Sequence, residues 1–161
     1  VIDCTWGHFT KIANVFYEPT LLLYYKCKNK NHPALTFVDG ELPSVYPTGH
    51  NNIFTLSHVK FTPLGQYQDL YKAKLKLNEI TLNEVQDRRE KMEEHILKYY
   101  PSFLEKFFYF GNQFSMKTKP IGKNANRSCN VFRNGKLVSI MSGKIDTIFH
   151  ASNEILAILG E

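Results

Sequence analysis

The sequence predicts an α+β fold: an antiparallel sheet with a helical pair and a C-terminal strand-turn-helix. Three observations lead there. Short β-rich apolar runs alternate with turn dipeptides such as Asp39-Gly40 and Asn134-Gly135. Thr81-x-x-Glu84 carries a capping-box signature ahead of a helical apolar pattern. Strands and helices are segregated along the chain instead of alternating as βαβ units. With 161 residues, 43% hydrophobic and 14% aromatic, the chain is long enough to bury a core.

Taken in order, Val1 to Thr5 reads as a buried strand, and its abrupt start without Met predicts a truncated or processed product. Val15 to Lys28 follows as a strand with an apolar run from Leu21 to Tyr25 and with Pro19 at its edge or start. Further strands are predicted over Ala34 to Val38, Ser44 to Tyr46 and Ile53 to Phe61. The capped helix runs to about Tyr100, with Leu82, Val85, Met92, Ile96 and Leu97 mainly on one side. Pro101 ends it, and Ser102 to Phe108 forms a shorter helical piece. The aromatics Phe103, Phe107, Phe108, Tyr109 and Phe110 are assigned to the core. Past Gly111 come a strand, a loop from Pro120 to Asn126, a strand at Cys129 to Phe132, the Asn134-Gly135 turn and a strand at Lys136 to Met141. A closing helix from Asp146 or Thr147 to Leu159 carries Ile148, Phe149, Ile155, Leu156 and Leu159 as its apolar face, and Gly160 stops it.

The formal charge of +5 is spread out. Lys26, Lys28 and Lys30 alternate on a strand, and Lys117, Lys119, Lys123 and Arg127 lie near the Pro/Gly/Asn-rich loop, so nucleic acid is disfavoured as a partner. Cys4, Cys27 and Cys129 form neither a disulfide framework nor a metal knuckle, which points to a reducing compartment. No signal peptide or membrane-length apolar run is present, and the chain is expected to be cytoplasmic, with no membrane partner. His8, His32, His50, His95 and His150 share no ligand spacing, so no metal is predicted. No nucleophile elbow supports a Ser/His/Asp triad.

The strand, turn and helix around Gly143-Lys144-Ile145-Asp146 carry the most specific chemistry. A helix N-terminus presents free N–H groups to an anion, Gly143 allows close approach, and Asp146 or Thr147 supplies a capping oxygen. On physics alone an ordinary capped helix explains the same residues.

Three segments in order then resemble the D-amino-acid oxidase-like superfamily of FAD-dependent oxidoreductases. Cys4-Thr5-Trp6 resembles the strand end beside the cofactor. Leu56-Ser57-His58-Val59-Lys60-Phe61-Thr62-Pro63 is similar to the bacterial branch's Leu-Thr-His-Val-Arg-Tyr-Thr-Pro strand, and Ser142 to Phe149 to its Gly-Lys-Ile-Asp turn and closing helix. The resemblance implies a two-domain fold in which residues 1–12 end the FAD-binding half, 13–119 form the substrate or cap domain, and 120–161 return to the FAD-binding half.

It further implies that Thr5, Trp6, Gly143, Lys144, Ile145 and Asp146 approach the flavin and that Arg127 binds substrate; Tyr46, on a strand leading to Pro47, and His58 are further substrate-binding candidates, Tyr46 being equally readable as a sheet packing residue. Arg127 is equally readable as a surface arginine, and His58 as a hydrogen-bonded core histidine. No Gly-x-Gly-x-x-Gly follows a strand, so FAD needs an N-terminal Rossmann half, in the same polypeptide or a separate chain. The implied activity is oxidation of an amine or amino-acid-like small molecule by hydride transfer to FAD, with this chain inactive alone. A non-enzymatic module binding a protein, nucleic acid or polar ligand, or an inactive remnant of the fold, is the alternative.

Overall fold

The computed structural model describes residues 1–29, 32–50, 52–121, 129–141 and 145–160. The fold is α+β and divides into two compact units. One comprises Glu18–Tyr67 and Tyr71–Lys117; the other comprises Val1–Tyr17, Gln68–Leu70 and Thr118–Glu161.

The larger unit is built on β2 (Val15–Cys27), β3 (Leu35–Thr36), β4 (Pro43–Pro47), β5 (Ile53–His58) and β6 (Phe107–Pro120), in sheet order β3-β4-β5-β2-β6. Its helices are α1 (Leu70–Glu79), α2 (Leu82–Tyr99) and the short α3 (Phe103–Lys106). In β2, Leu21, Leu23, Tyr25 and Cys27 point to one face and are buried with Val45, Phe54 and Leu56 against Val85, Met92, Ile96, Phe103 and Phe107. The period-two alternation of a strand meets the i, i+3, i+4 stripe of a helix, so one sheet face is dry. Thr81 Oγ1 accepts from the Glu84 amide at 3.2 Å, as the capping signature predicts. Lys76 ties α1 to α2 through Glu84 at 2.7 Å.

The smaller unit holds a three-stranded sheet, β1 (Ile2–Asp3), β8 (Leu137–Met141) and β7 (Asn130–Asn134), followed by a 3₁₀ turn at Ile145–Thr147 and helix α4 (Ile148–Leu159). β7 and β8 form the expected hairpin, with Gly135 at φ +59°. Gly160 ends α4 in the left-handed region with its N–H on the Leu156 carbonyl at 3.0 Å.

Several expectations fail for identifiable reasons. Among the described residues β1 pairs with β8, and of Val1, Ile2 and Asp3 only Asp3 is buried there, short of the buried strand expected. Pro19 lies inside β2 and is buried; its carbonyl accepts the Leu64 amide at 2.8 Å, Thr20 bridges Pro63, and paired register with β5 runs from Leu23 to Lys26. β5 stops at His58, where Thr62 turns back to accept the His58 amide on its hydroxyl at 2.9 Å.

Helix α1 is absent from the sequence reading, since Lys72-Ala73-Lys74-Leu75-Lys76-Leu77 alternates like a strand. Leu82 is 87% exposed, a first-turn position ahead of the packed stripe. The second helical piece is cut to α3, and β6 begins at Phe107, which turns Phe108 and Phe110 outward. On α4 only Ala151 is buried and Ile155 packs beside it; Ile148, Phe149, Leu156 and Leu159 are exposed. Thr147 takes the N-cap position without a side-chain capping bond, and Asp146 lies in the preceding 3₁₀ turn.

Replacing Met92, fully buried under the sheet, by Ala is expected to destabilise the larger unit by about 2–5 kcal/mol, whereas Leu82→Ala costs less than about 0.5 kcal/mol. Urea unfolding of the two variants checks this, and equal losses would contradict the packing.

Candidate functional site

In the smaller unit β1 and β8 run parallel, with Ile2 opposite Val138 and Asp3 opposite Ser139. The chain therefore leaves β1 at Asp3 and β8 at Met141 through the same end of the sheet. That end of a parallel pair is where open α/β sheets form ligand crevices.

The turn after β1 is rigidly made. Thr5 donates both its amide, at 2.8 Å, and its hydroxyl, at 2.6 Å, to Asp3 Oδ1, and its hydroxyl oxygen accepts the Phe9 amide at 2.8 Å. The Thr5 hydroxyl, then its amide, hold the Asp3 carboxyl below the usual carboxylate range, with burial acting the other way. Thr5 thus shapes the turn, and its hydroxyl proton is already committed. Trp6 adopts φ +57°, a strained conformation for a bulky residue, and the Thr118 hydroxyl donates to its carbonyl at 2.7 Å. The residue is 39% exposed. Gly7 follows at φ +79°, and a Cβ there would lie 3.0 Å from the Tyr17 hydroxyl, which itself donates to the Gly7 carbonyl. Ile145 and Asp146 sit in the 3₁₀ turn before α4, with Asp146 exposed. Arg127, Gly143 and Lys144 lie outside the described residues.

Tyr46 and His58 are separated by the sheet itself. Tyr46 lies opposite Thr55, and Pro43 opposite His58, so the two residues differ in parity and point to opposite faces. Tyr46 stands on the open face, exposed, with its hydroxyl bonded to that of Thr36. Tyr24 shares that face and bonds Gln113 of β6; Thr20 meets the Ser115 hydroxyl at 2.7 Å, and Lys28 lies 4.8 Å over the Phe108 ring. One pocket cannot contain both predicted substrate residues.

His58 is on the helix-covered side and is buried. Its Nδ1 accepts the Lys60 amide at 3.0 Å, which fixes its proton on Nε2; that N–H donates to His95 Nδ1 at 2.5 Å. His95 then carries its proton on Nε2. Phe61 stacks on the His58 ring at 4.4 Å. A proton on His58 Nδ1 would meet the Lys60 amide head-on, so this arrangement disfavours the charged form of His58. Burial first, then the adjoining His95 ring, with Lys60 acting the same way and Glu41 opposing, bring the His58 imidazole down to about 4 from its ordinary 6.5. His95, from α2, is the residue the sequence reading set aside. It meets no ligand-spacing rule, and only its apolar neighbours Met92 and Ile96 place it on the packed side of α2.

No family model matches the chain. It is 47% identical over its whole length to an FAD-dependent monooxygenase of Fusarium mangiferae, spanning 44% of that protein. Over its whole length the chain is thus similar to part of that FAD-dependent monooxygenase. An FAD-dependent monooxygenase of Aspergillus flavus is 23% identical across 91% of the chain and 36% of its own length. The chain thus spans less than half the length of these curated relatives. Among solved structures, an FAD-dependent oxidoreductase of Pseudomonas aeruginosa shares the fold, with TM-score 0.52, 11% identity, and 91% of this chain matched to 38% of that one. These relations support an FAD oxidoreductase kinship and not the bacterial branch whose strand and turn the sequence resembles. No described helix is long and apolar enough to cross a membrane.

The depressed His58 value has a definite sign. The unfolded chain takes up a proton near pH 6.5 that the folded chain refuses until about pH 4, so stability is full above 6.5 and falls as pH drops through that window. Chemical denaturation of the protein at pH 7 and pH 4.5, compared with His58→Gln, should show a smaller acid loss in the variant; an identical pH slope would contradict the arrangement.

Proposed function

We propose that this chain is the substrate-facing part of an FAD-dependent oxidoreductase, completed by an FAD-binding half. The observation that carries the reading is the shared exit of β1 and β8 beside the strained Trp6 turn, in a chain 47% identical throughout to part of a flavin monooxygenase. The described residues fit the edge of a flavin site and supply no glycine-rich phosphate turn. Backbone at Trp6 and Ile145, with the Asp146 carboxylate, would border the cofactor, as would Gly143 and Lys144. FAD, when bound, supplies the redox chemistry; the protein orients the substrate C–H and excludes water.

The other half is expected to cover the free edge of β1 and the exposed Phe149, Leu156 and Leu159 of α4. Domain boundaries at residues 12 and 119 follow from the same reading. The open sheet face bearing Tyr46 and Tyr24 is the side available to substrate, since α2 fills the other. Arg127 is assigned to a substrate carboxylate. His58, committed to His95 behind the sheet, is withdrawn from that role.

Hydride removal from an amine or amino-acid-like substrate is one form of the activity. Oxygen insertion is the second, favoured by the monooxygenase relatives. The protein expressed with its FAD-binding half should purify yellow, with oxidised-flavin absorbance, and Gly143→Trp should reduce flavin occupancy. Turnover under labelled oxygen separates the two forms: label in the product identifies oxygen insertion, and an imine or keto product with hydrogen peroxide identifies hydride removal. A colourless protein that takes up no added FAD would overturn the reading in favour of a binding module.

A further inference from the structure

Behind the sheet, where β5 ends against α2, a cavity of about 330 Å³ is lined by Glu41, Leu42, His58, Lys60, Phe61, His95 and Tyr99. We propose that this cavity binds a small planar anion, an aromatic carboxylate, through His95, Lys60 and Tyr99.

The volume lies at the small end of the range for small-molecule sites. Its polarity is set by the tautomer chain already described. With Nδ1 accepting from His58, the remaining nitrogen of His95 is an N–H donor. The Lys60 ammonium and the Tyr99 hydroxyl add two further donors to the lining. Opposing them is the Glu41 carboxylate, 3.8 Å from Lys60, with both side chains more than half exposed. So loose a surface pair is worth little and exchanges readily for a ligand carboxylate.

The apolar part of the lining favours a flat ligand. Phe61 is braced face-on against His58 at 4.4 Å, and the Tyr99 ring is held edge-on to His95 at 5.6 Å and tilted on Phe37 at 5.1 Å. A metal ion is not accommodated between the histidines: their nitrogens are 2.5 Å apart, whereas an ion requires about 2.0–2.1 Å to each. The site lies on the opposite sheet face from Tyr46, so it is distinct from the substrate side assigned above and does not depend on that assignment.

Benzoate is the probe. It is titrated into the purified protein while the imidazole ¹H–¹⁵N signals of His58 and His95 and the visible absorbance are recorded on the same samples. Saturable movement of the His95 signals is expected, with affinity about tenfold weaker in Lys60→Met and in His95→Phe. Removing the competing carboxylate in Glu41→Gln should tighten binding by about threefold. Unchanged affinity in Lys60→Met, an exposed position whose loss leaves the core intact, overturns the proposal. So does benzylammonium binding in place of benzoate, or a benzoate-dependent change confined to flavin absorbance that persists in Lys60→Met. A colourless protein whose His95 signals still respond to benzoate removes the flavin reading and supports this site.

Discussion

In the larger unit Leu23 lies opposite Leu56 and Tyr25 opposite Phe54, and both pairs are buried beneath α2. That register is the constraint on which the rest depends. Because side chains alternate across a strand, a slip of one residue would drive Tyr24, Lys26 and Thr55 into the aliphatic layer and expose Leu23, Tyr25 and Leu56. The same register sends Tyr46 outward and His58 inward. Tyr25 anchors it: its ring packs edge-on to Phe103 and Tyr109 at 5.1 and 5.8 Å, and its hydroxyl donates to Glu93 at 2.7 Å. Burial and that carboxylate together raise the phenol well above its ordinary range, so the hydroxyl remains a donor.

The elements legible in the sequence are those whose signals are local. Thr81 caps α2 because a hydroxyl three residues before a helical amide can reach it, and Asn134-Gly135 turns β7 into β8 because glycine tolerates positive φ. The failures concern partners distant in sequence. The burial of Val1 and Ile2 depends on what flanks β1, the fate of Phe108 and Phe110 on where α3 yields to β6, and the position of α1 on a lysine alternation that imitates a strand.

The site was legible to the same extent. Thr5 and Trp6 were singled out by resemblance, and the structure adds what they do locally: the threonine builds the turn and the tryptophan occupies a left-handed backbone held by Thr118. His58 and Tyr46 are both substrate candidates in the sequence, each on its own strand. Counting parity along β4 and β5 would already have parted them, but only once Pro43 was known to oppose His58. His95 could not be found from spacing at all, since its partner is 37 residues away and on another kind of element.

Two environments with different demands thus share one sheet. The open face carries Tyr24, Tyr46, Gln113 and Lys28, groups that keep their polarity through mutual bonds and remain accessible. The covered face is mainly aliphatic and aromatic, and at the end of β5 His58 brings two ring nitrogens into a buried place and must satisfy both. The Lys60 amide and His95 do so, and the cost of burying the imidazole is offset only while it stays neutral. The turn at His58–Thr62 is therefore as necessary to the pair as His95 is: it places the Lys60 amide under Nδ1 and fixes which nitrogen of each ring carries the proton. Directionality of this kind, set by one backbone amide and passed through two imidazoles, makes the polar end of an otherwise dry face a donor toward whatever enters the cavity beside it.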